Sequence, residues 1–314
     1  MDALYGSSPA LPAPRATLGR LSPPAGALPS YILLGMMIAL IAALVARLDF
    51  AVDRHDLPLI VAMQFFLLGV ATLLRLRGFG RVGSAIEAAV LVLAATMATA
   101  CLSVLVATIA LPYRDAALAR ADALLFPWLD WRAMFALLHD RPRIVRAMCD
   151  IYQTLQWQSF LLVALLPLAG QERRCWQFVH AWFLTLIACV AIFPFVTAAG
   201  SYVHYGLTPA DIPALDVDTA WRQVAVLEAI RSGAIHGLTP ASMTGLISFP
   251  SFHAGGATLL AWGFRRIPII GGAFVTLNIA VAATAPLIGA HYFVDILAGV
   301  ALALVALHVA RRMR

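Results

Sequence analysis

The chain contains no lysine, so all 22 of its basic residues are arginine. Charge of either sign is scarce, at 12% of residues against 62% hydrophobic. That balance excludes an ordinary soluble domain and points to a polytopic membrane protein. The missing lysine reflects biased genome composition more than chemistry. A net charge of +6 does not mark a nucleic-acid binder, because the arginines sit in short clusters between apolar runs. The four cysteines, Cys101, Cys149, Cys175 and Cys189, lack paired metal-ligand spacing and fall mostly within apolar segments. They read as small buried apolar residues. No H-E-x-x-H or comparable ligand run is present, and no cofactor is expected. A cleaved signal peptide is not expected either, since the first apolar segment is too long and lacks a cleavage site. Residues 1–29, rich in Pro, Ala, Ser and Gly, are expected to form a mobile cytoplasmic tail.

Long apolar runs are abundant. A helix needs roughly 17 to 25 apolar residues to span a bilayer. Such runs occur at about 30–47, 57–75, 84–111, 147–169, 175–198, 249–265, 268–288 and 291–310. The expected fold is an all-α helical bundle of about eight transmembrane helices. Its organisation would be N-terminal transmembrane helices over 30–111 and a second membrane domain over 112–314. The sixth span is short and has a polar start, as if it opens onto water.

Arginine in short loops sets orientation. Arg15 and Arg20, then Arg75, Arg77 and Arg81, Arg173 and Arg174, Arg265 and Arg266, and the C-terminal arginines all fall on one side of an eight-span chain. That side is expected to be cytoplasmic. Residues 112–146 carry arginines on the other side, interleaved with Asp115, Asp122, Asp130 and Asp140. They read as amphipathic helices in the headgroup layer. The outer face then holds 112–146, 199–248 and the N-terminal ends of the sixth and eighth spans.

Those two ends carry the chemistry. His291 and Asp295 are four apart and share one helix face. A carboxylate there fixes the imidazole tautomer and leaves the other nitrogen as nucleophile or base. In "ISFPSFHAGG", Ser248 can cap the sixth helix and Pro250 suits its first turn. The free N–H groups there, with the Ser251 hydroxyl, make an anion site, and His253 stands beside it. A structural histidine, a chance H-x-x-x-D pair or ordinary capping explains each piece alone. The combination at two helix mouths on one face is far more specific, and an acid inside a span needs a reason to be there.

"FPSFHA" and "GAHYFVDILAG" resemble the second and third signatures of the type 2 phosphatidic acid phosphatase superfamily. The resemblance covers about residues 115–310. It implies Ser251 as a phosphate contact, His253 as general acid, His291 as the nucleophile that becomes phosphohistidine, and Asp295 as its orienting carboxylate. The Ser-Arg pair that usually opens the third signature is replaced by Thr284 and Ala285, and the lysine-containing first signature is absent. In this the chain resembles the branch of inositol phosphorylceramide and sphingomyelin synthases, as "HYFVDILAG", "DALLFPWLDW" and "YQTLQWQSF" also do. That branch moves a phospho-headgroup between lipids.

Arg231 is the first candidate to replace the missing cation and Arg222 the second, with a solvated loop charge as the other reading. Tyr152, Gln153 and Gln156 either hold a headgroup or bond neighbouring helices, and Gln156 is the candidate for substrate contact. The expectation is therefore a metal-independent lipid phosphotransferase or phosphatase in the inner membrane, with its site on the outer face. Its partners would be a lipid substrate and an acceptor, either lipid alcohol or water. A non-catalytic lipid-binding or transport protein is one rival, and a metal-dependent hydrolase using the two histidines and Asp295 is another.

Overall fold

The computed structural model describes residues 26–215 and 217–313. The expected N-terminal tail therefore lies almost wholly outside the described residues. Buried backbone amides in hydrocarbon have no water to pair with, so the apolar runs close their hydrogen bonds internally as helices. The elements are α1 (Leu28–Leu48), β1 (Ala51–Val52), α2 (Asp56–Leu76), α3 (Gly80–Ala107), α4 (Asp115–Leu125), α5 (Trp131–His139) and α6 (Pro142–Gln153). They continue with α7 (Leu155–Leu168), α8 (Glu172–Ile192), α9 (Ser201–His204), α10 (Val217–Arg231), β2 (Gly237–Leu238), α11 (Phe252–Phe264), α12 (Gly271–Ile288) and α13 (Phe293–Ala310). The chain is an all-α, multi-pass membrane protein.

Six helices are long and apolar enough to cross a membrane: α1, α2, α3, α8, α12 and α13. The other two expected spans are helical but shorter. The fourth breaks at Thr154, between α6 and α7. There the Thr154 hydroxyl donates to the Ile151 carbonyl and accepts from Gln158 Nε2, 2.7 Å away. Side chains thus satisfy groups the break would leave bare. The sixth, α11, has 13 residues, about 20 Å at 1.5 Å per residue, because it starts at Phe252 and not at residue 249.

Helices α1 and α2 bury little of their surface, and Met36, Leu59, Phe65 and Phe66 face outward, as expected where lipid is the solvent. Helix α3 is central, with Leu91, Ala95, Leu102 and Leu105 buried. One ionic contact ties the first three helices. Glu87, 1% exposed, accepts from Arg75 at 2.8 Å and from the Tyr31 hydroxyl. A buried carboxylate is tolerable only when paired in this way. Helices α11 and α13 cross where two glycines meet. A Cβ on Gly255 would lie 3.1 Å from the Gly299 carbonyl oxygen, and one on Gly299 only 2.1 Å from that of Ser251. Small residues are what let two membrane helices approach so closely.

The bundle has two distinct ends. At one, Arg174 donates to the carbonyls of Trp262 and Gly263, and the Arg174 and Arg311 guanidiniums lie 4.2 and 5.6 Å from the Trp262 ring. At the other, connections distant in sequence are stitched together. Ala51 and Val52 pair in parallel with Gly237 and Leu238, Arg114 N–H donates to Thr197 O at 2.9 Å, and Ser201 N–H donates to Ala290 O at 2.9 Å. These connections share an end only if the α6–α7 unit and α11 each count as a crossing. The candidate site lies at this second end, away from the clusters at Arg174, Arg265 and Arg311.

Candidate active site

The connection from α12 to α13 carries His291. It follows Ala290, which has φ +53°, a left-handed conformation uncommon outside glycine. The loop is held from below by the backbone of Ser201, and Gly200 makes room for it. Gly200 has φ +101°, and a Cβ there would sit 2.9 Å from Ala290 O. His291 is buried, with Nδ1 3.3 Å from Asp295 Oδ2. That contact accommodates the Nδ1–H tautomer and leaves the Nε2 lone pair for chemistry. Asp295 is fully buried. Its Oδ2 also accepts from Tyr292 N–H at 2.9 Å and from Ser248 Oγ at 3.3 Å.

Ser248 thus serves the carboxylate, which corrects its expected role as helix cap. The cap is Ser251, whose extended backbone (φ −67°, ψ 109°) starts α11 and whose Oγ accepts from Ala254 N–H at 3.4 Å. Ser251 N–H donates to the Asp295 carbonyl oxygen at 3.0 Å, so the α11 mouth is bonded directly to the first turn of α13. Ser251 is fully buried and lines neither cavity described below. The first N–H groups of α11 have no carbonyl within the helix to reach, and with the helix dipole they make that mouth attractive to an anion.

His253 stands one residue into α11. Its ring stacks on Tyr152 with centroids 4.0 Å apart and planes 16° from parallel. Two adjoining cavities meet at this ring. The larger, about 660 Å³, runs along α3, α6 and α7, and Tyr152, Gln153, Gln156, Ser159 and Gln223 line it among mainly apolar neighbours. The smaller, about 220 Å³, is lined by His253 and His291 together with Thr96, Thr99, Ser103 and Thr244. The structure therefore brings His253, His291 and Asp295 into one site and puts Gln156 on the wall of its larger chamber.

The two expected arginines are placed differently. Arg231 donates to the Leu111 carbonyl at 2.9 Å and lies 4.2 Å over the Tyr113 ring. Arg222 is exposed on α10. Neither lines either cavity. Their helix sends Gln223 into both chambers instead, an amide where a cation was expected. At the positions of the absent Ser-Arg pair, Thr284 donates to Val281 O at 3.0 Å and Ala285 is fully buried.

Sequence reasoning missed the supports under α13. Asp122 of α4 accepts from Phe293 N–H at 2.9 Å, Val294 N–H at 2.8 Å and Trp131 Nε1 at 3.3 Å. Asp115 accepts from the Ala199 and Gly200 N–H groups and from the Tyr292 hydroxyl, each at 2.9 Å. The amphipathic α4 thus turns two carboxylates inward to fix the loops on both sides of the nucleophile candidate. A signal was available, since the two aspartates are seven apart and so share a helix face.

Among the described residues, no three His, Cys, Asp or Glu side chains gather into a set able to hold a metal ion. No curated protein and no solved structure matches the chain. Residues 116–309 match the PAP2 superfamily, whose members are phosphatases and related phosphotransferases. The match covers more than half of the sequence and spans both helix mouths, and the chain belongs to that superfamily.

Proposed function

We propose that the protein transfers a phosphoester group from a membrane lipid through a phosphohistidine. The observation that carries this reading is the buried His291–Asp295 contact in the chamber shared with His253. In the first step His291 Nε2 attacks phosphorus, the ester P–O bond breaks, and the leaving oxygen takes a proton from His253. In the second step the O–H of an acceptor attacks phosphorus and gives its proton to His253. The P–N bond then breaks and frees His291. Phosphate oxygens meet the N-terminus of α11 and the amide of Gln223.

The acceptor decides between transferase and phosphatase. No arginine lines either chamber, and a monoester dianion requires more compensating charge than a diester monoanion. This favours a diester donor and a lipid alcohol acceptor, the chemistry of an inositolphosphotransferase-like enzyme. The short-loop clusters at Arg174, Arg265 and Arg311 lie at the opposite end, and by the positive-inside rule they favour a site that faces outward.

The test is turnover by purified protein in lipid with a chelator present. The panel is phosphatidic acid, an isoprenyl pyrophosphate, phosphatidylinositol and phosphatidylglycerol, each with and without diacylglycerol or ceramide. Headgroup transfer lost in His291→Ala supports the transferase, whereas free phosphate lost in the mutant supports a phosphatase. Turnover that His291→Ala retains, or that the chelator abolishes, overturns the mechanism. No turnover on any lipid favours a lipid-binding protein.

A further inference from the structure

The end of the bundle away from the histidines holds a surplus of positive charge and of hydrogen-bond donors. Arg174 on α8, Arg265 just after α11 and Arg311 just after α13 converge on one indole, their guanidiniums 4.2, 6.0 and 5.6 Å from the Trp262 ring centroid. Arg265, Arg266 and Arg311 all lie close enough to Arg174 to repel its charge. Among the described residues, no carboxylate forms an ion pair with any of these four arginines. Arg174 is buried and spends two of its five N–H groups on the carbonyls of Trp262 and Gly263. Trp262 Nε1 is a further donor, buried and with no partner among the described residues.

Helix ends do not absorb this charge. The C-termini of α7, α11 and α13 lie here, and together they supply roughly −1.5 against four full positive charges. What would balance the cluster is an anion with several acceptor oxygens, and the guanidinium fork matches phosphate. We infer that the cluster binds the headgroup phosphate of an anionic phospholipid in the leaflet opposite the histidines. Basic pockets between the cytoplasmic ends of membrane helices take such headgroups. A lipid fits better than a soluble anion, because Ile269 stands fully exposed in the same α11–α12 connection as Arg265 and Arg266. An apolar side chain beside guanidiniums suits the boundary between headgroups and acyl chains. The bound lipid ties together the ends of α8, α11 and α13. It takes no part in the proposed transfer, which belongs to the other ends of α11 and α13.

The test is lipid binding by the full-length protein in detergent, with the number and affinity of bound lipids read by native mass spectrometry. The protein is titrated with dioleoyl-phosphatidylserine, a net anion, and with dioleoyl-phosphatidylcholine, a zwitterion on the same chains. The site variant is Arg265→Gln with Arg311→Gln, two exposed side chains whose loss leaves the Arg174 tie to α11 in place. The control is Arg120→Gln with Arg143→Gln, also exposed. The parent is expected to bind at least one more phosphatidylserine than phosphatidylcholine. A guanidinium near an anionic surface is worth about fivefold in affinity, so the site variant is expected to lose that lipid or bind it tenfold or more weakly, while the control keeps it. A site variant that binds as many phosphatidylserines as the parent, each within twofold, overturns the assignment. So does an equal loss in the control, or equal binding of both lipids by the parent. Displacement of the lipid by inorganic pyrophosphate at constant ionic strength would give the cluster to a soluble anion and also overturn it.

Discussion

The imidazole of His253 lies flat on the phenol of Tyr152, with 4.0 Å between ring centroids. Tyr152 is the last residue but one of α6, and its hydroxyl reaches the α12–α13 connection, 2.5 Å from where a Cβ on Gly289 would stand. A single side chain therefore touches the His253 ring and the loop that carries His291. An aromatic contact of this kind contributes about 0.5–1.5 kcal/mol beyond burial. Tyr152→Leu is expected to lower kcat roughly 3- to 10-fold on that scale, while Tyr152→Phe keeps most of the rate. Equal losses in the two variants would assign the effect to the hydroxyl and not to the stack.

Asp295→Asn preserves the shape around His291 but offers an amide where a carboxylate accepted Nδ1–H. In catalytic triads, losing the tautomer-fixing carboxylate costs about 10⁴ in kcat. A loss of about 10²–10⁴ is expected here, with substrate binding retained. A loss below tenfold in single-turnover kinetics would show that Asp295 does not set the tautomer.

Asp122 should act through α13 without touching substrate. A carboxylate capping two N–H groups is worth about 1–2 kcal/mol, with a further fraction from the helix dipole. Asp122→Ala is expected to lower the melting temperature and to slow turnover, and Asp122→Asn to recover part of both. An unchanged melting temperature in Asp122→Ala would remove the capping role.

Gly299→Ala puts a methyl 2.1 Å from the Ser251 carbonyl oxygen. Backbone cannot yield there as a flexible side chain would, so α11 must shift away from α13. The expected outcome is loss of most activity together with reduced thermal stability. Gly35→Ala, where a Cβ meets nothing within 4 Å, is the control and should be neutral in both.

Arg231→Ala separates a loop tie from a phosphate ligand. Its guanidinium stacks on Tyr113, whose hydroxyl donates to Glu228 and is pushed above its usual pKa by burial and that carboxylate. A cation–π contact is worth about 0.5–2 kcal/mol, so a lower melting temperature with unchanged KM is expected. A KM raised tenfold or more would return Arg231 to the substrate.

The membrane class, the long helices and the His291–Asp295 pair were legible because each rests on spacing within one segment. Hydropathy finds the runs, and four residues make one turn. The mouth of α11 was half legible. Its serines were visible, but which one caps depended on Asp295, 47 residues after Ser248 and 44 after Ser251. Arg231 was misplaced for the same kind of reason, since only the fold reveals Tyr113 and Leu111 as its partners. The threonines of α3 that face the chambers were not legible, because a threonine in an apolar helix has the same sequence signal whether it faces lipid, a neighbour or a cavity.

The two aspartates of α4 bear on how the protein is made. The groups they bind on α13 are synthesised more than 170 residues later. Before that, Asp122 has only Trp131 Nε1 and Asp115 only the Ala199 and Gly200 N–H groups as partners. The last helix therefore completes the hydrogen bonding of both carboxylates. The chamber shared by His253 and His291 is thus closed by the last segment of the chain to be made, and a chain that ends before it lacks the His291–Asp295 contact altogether.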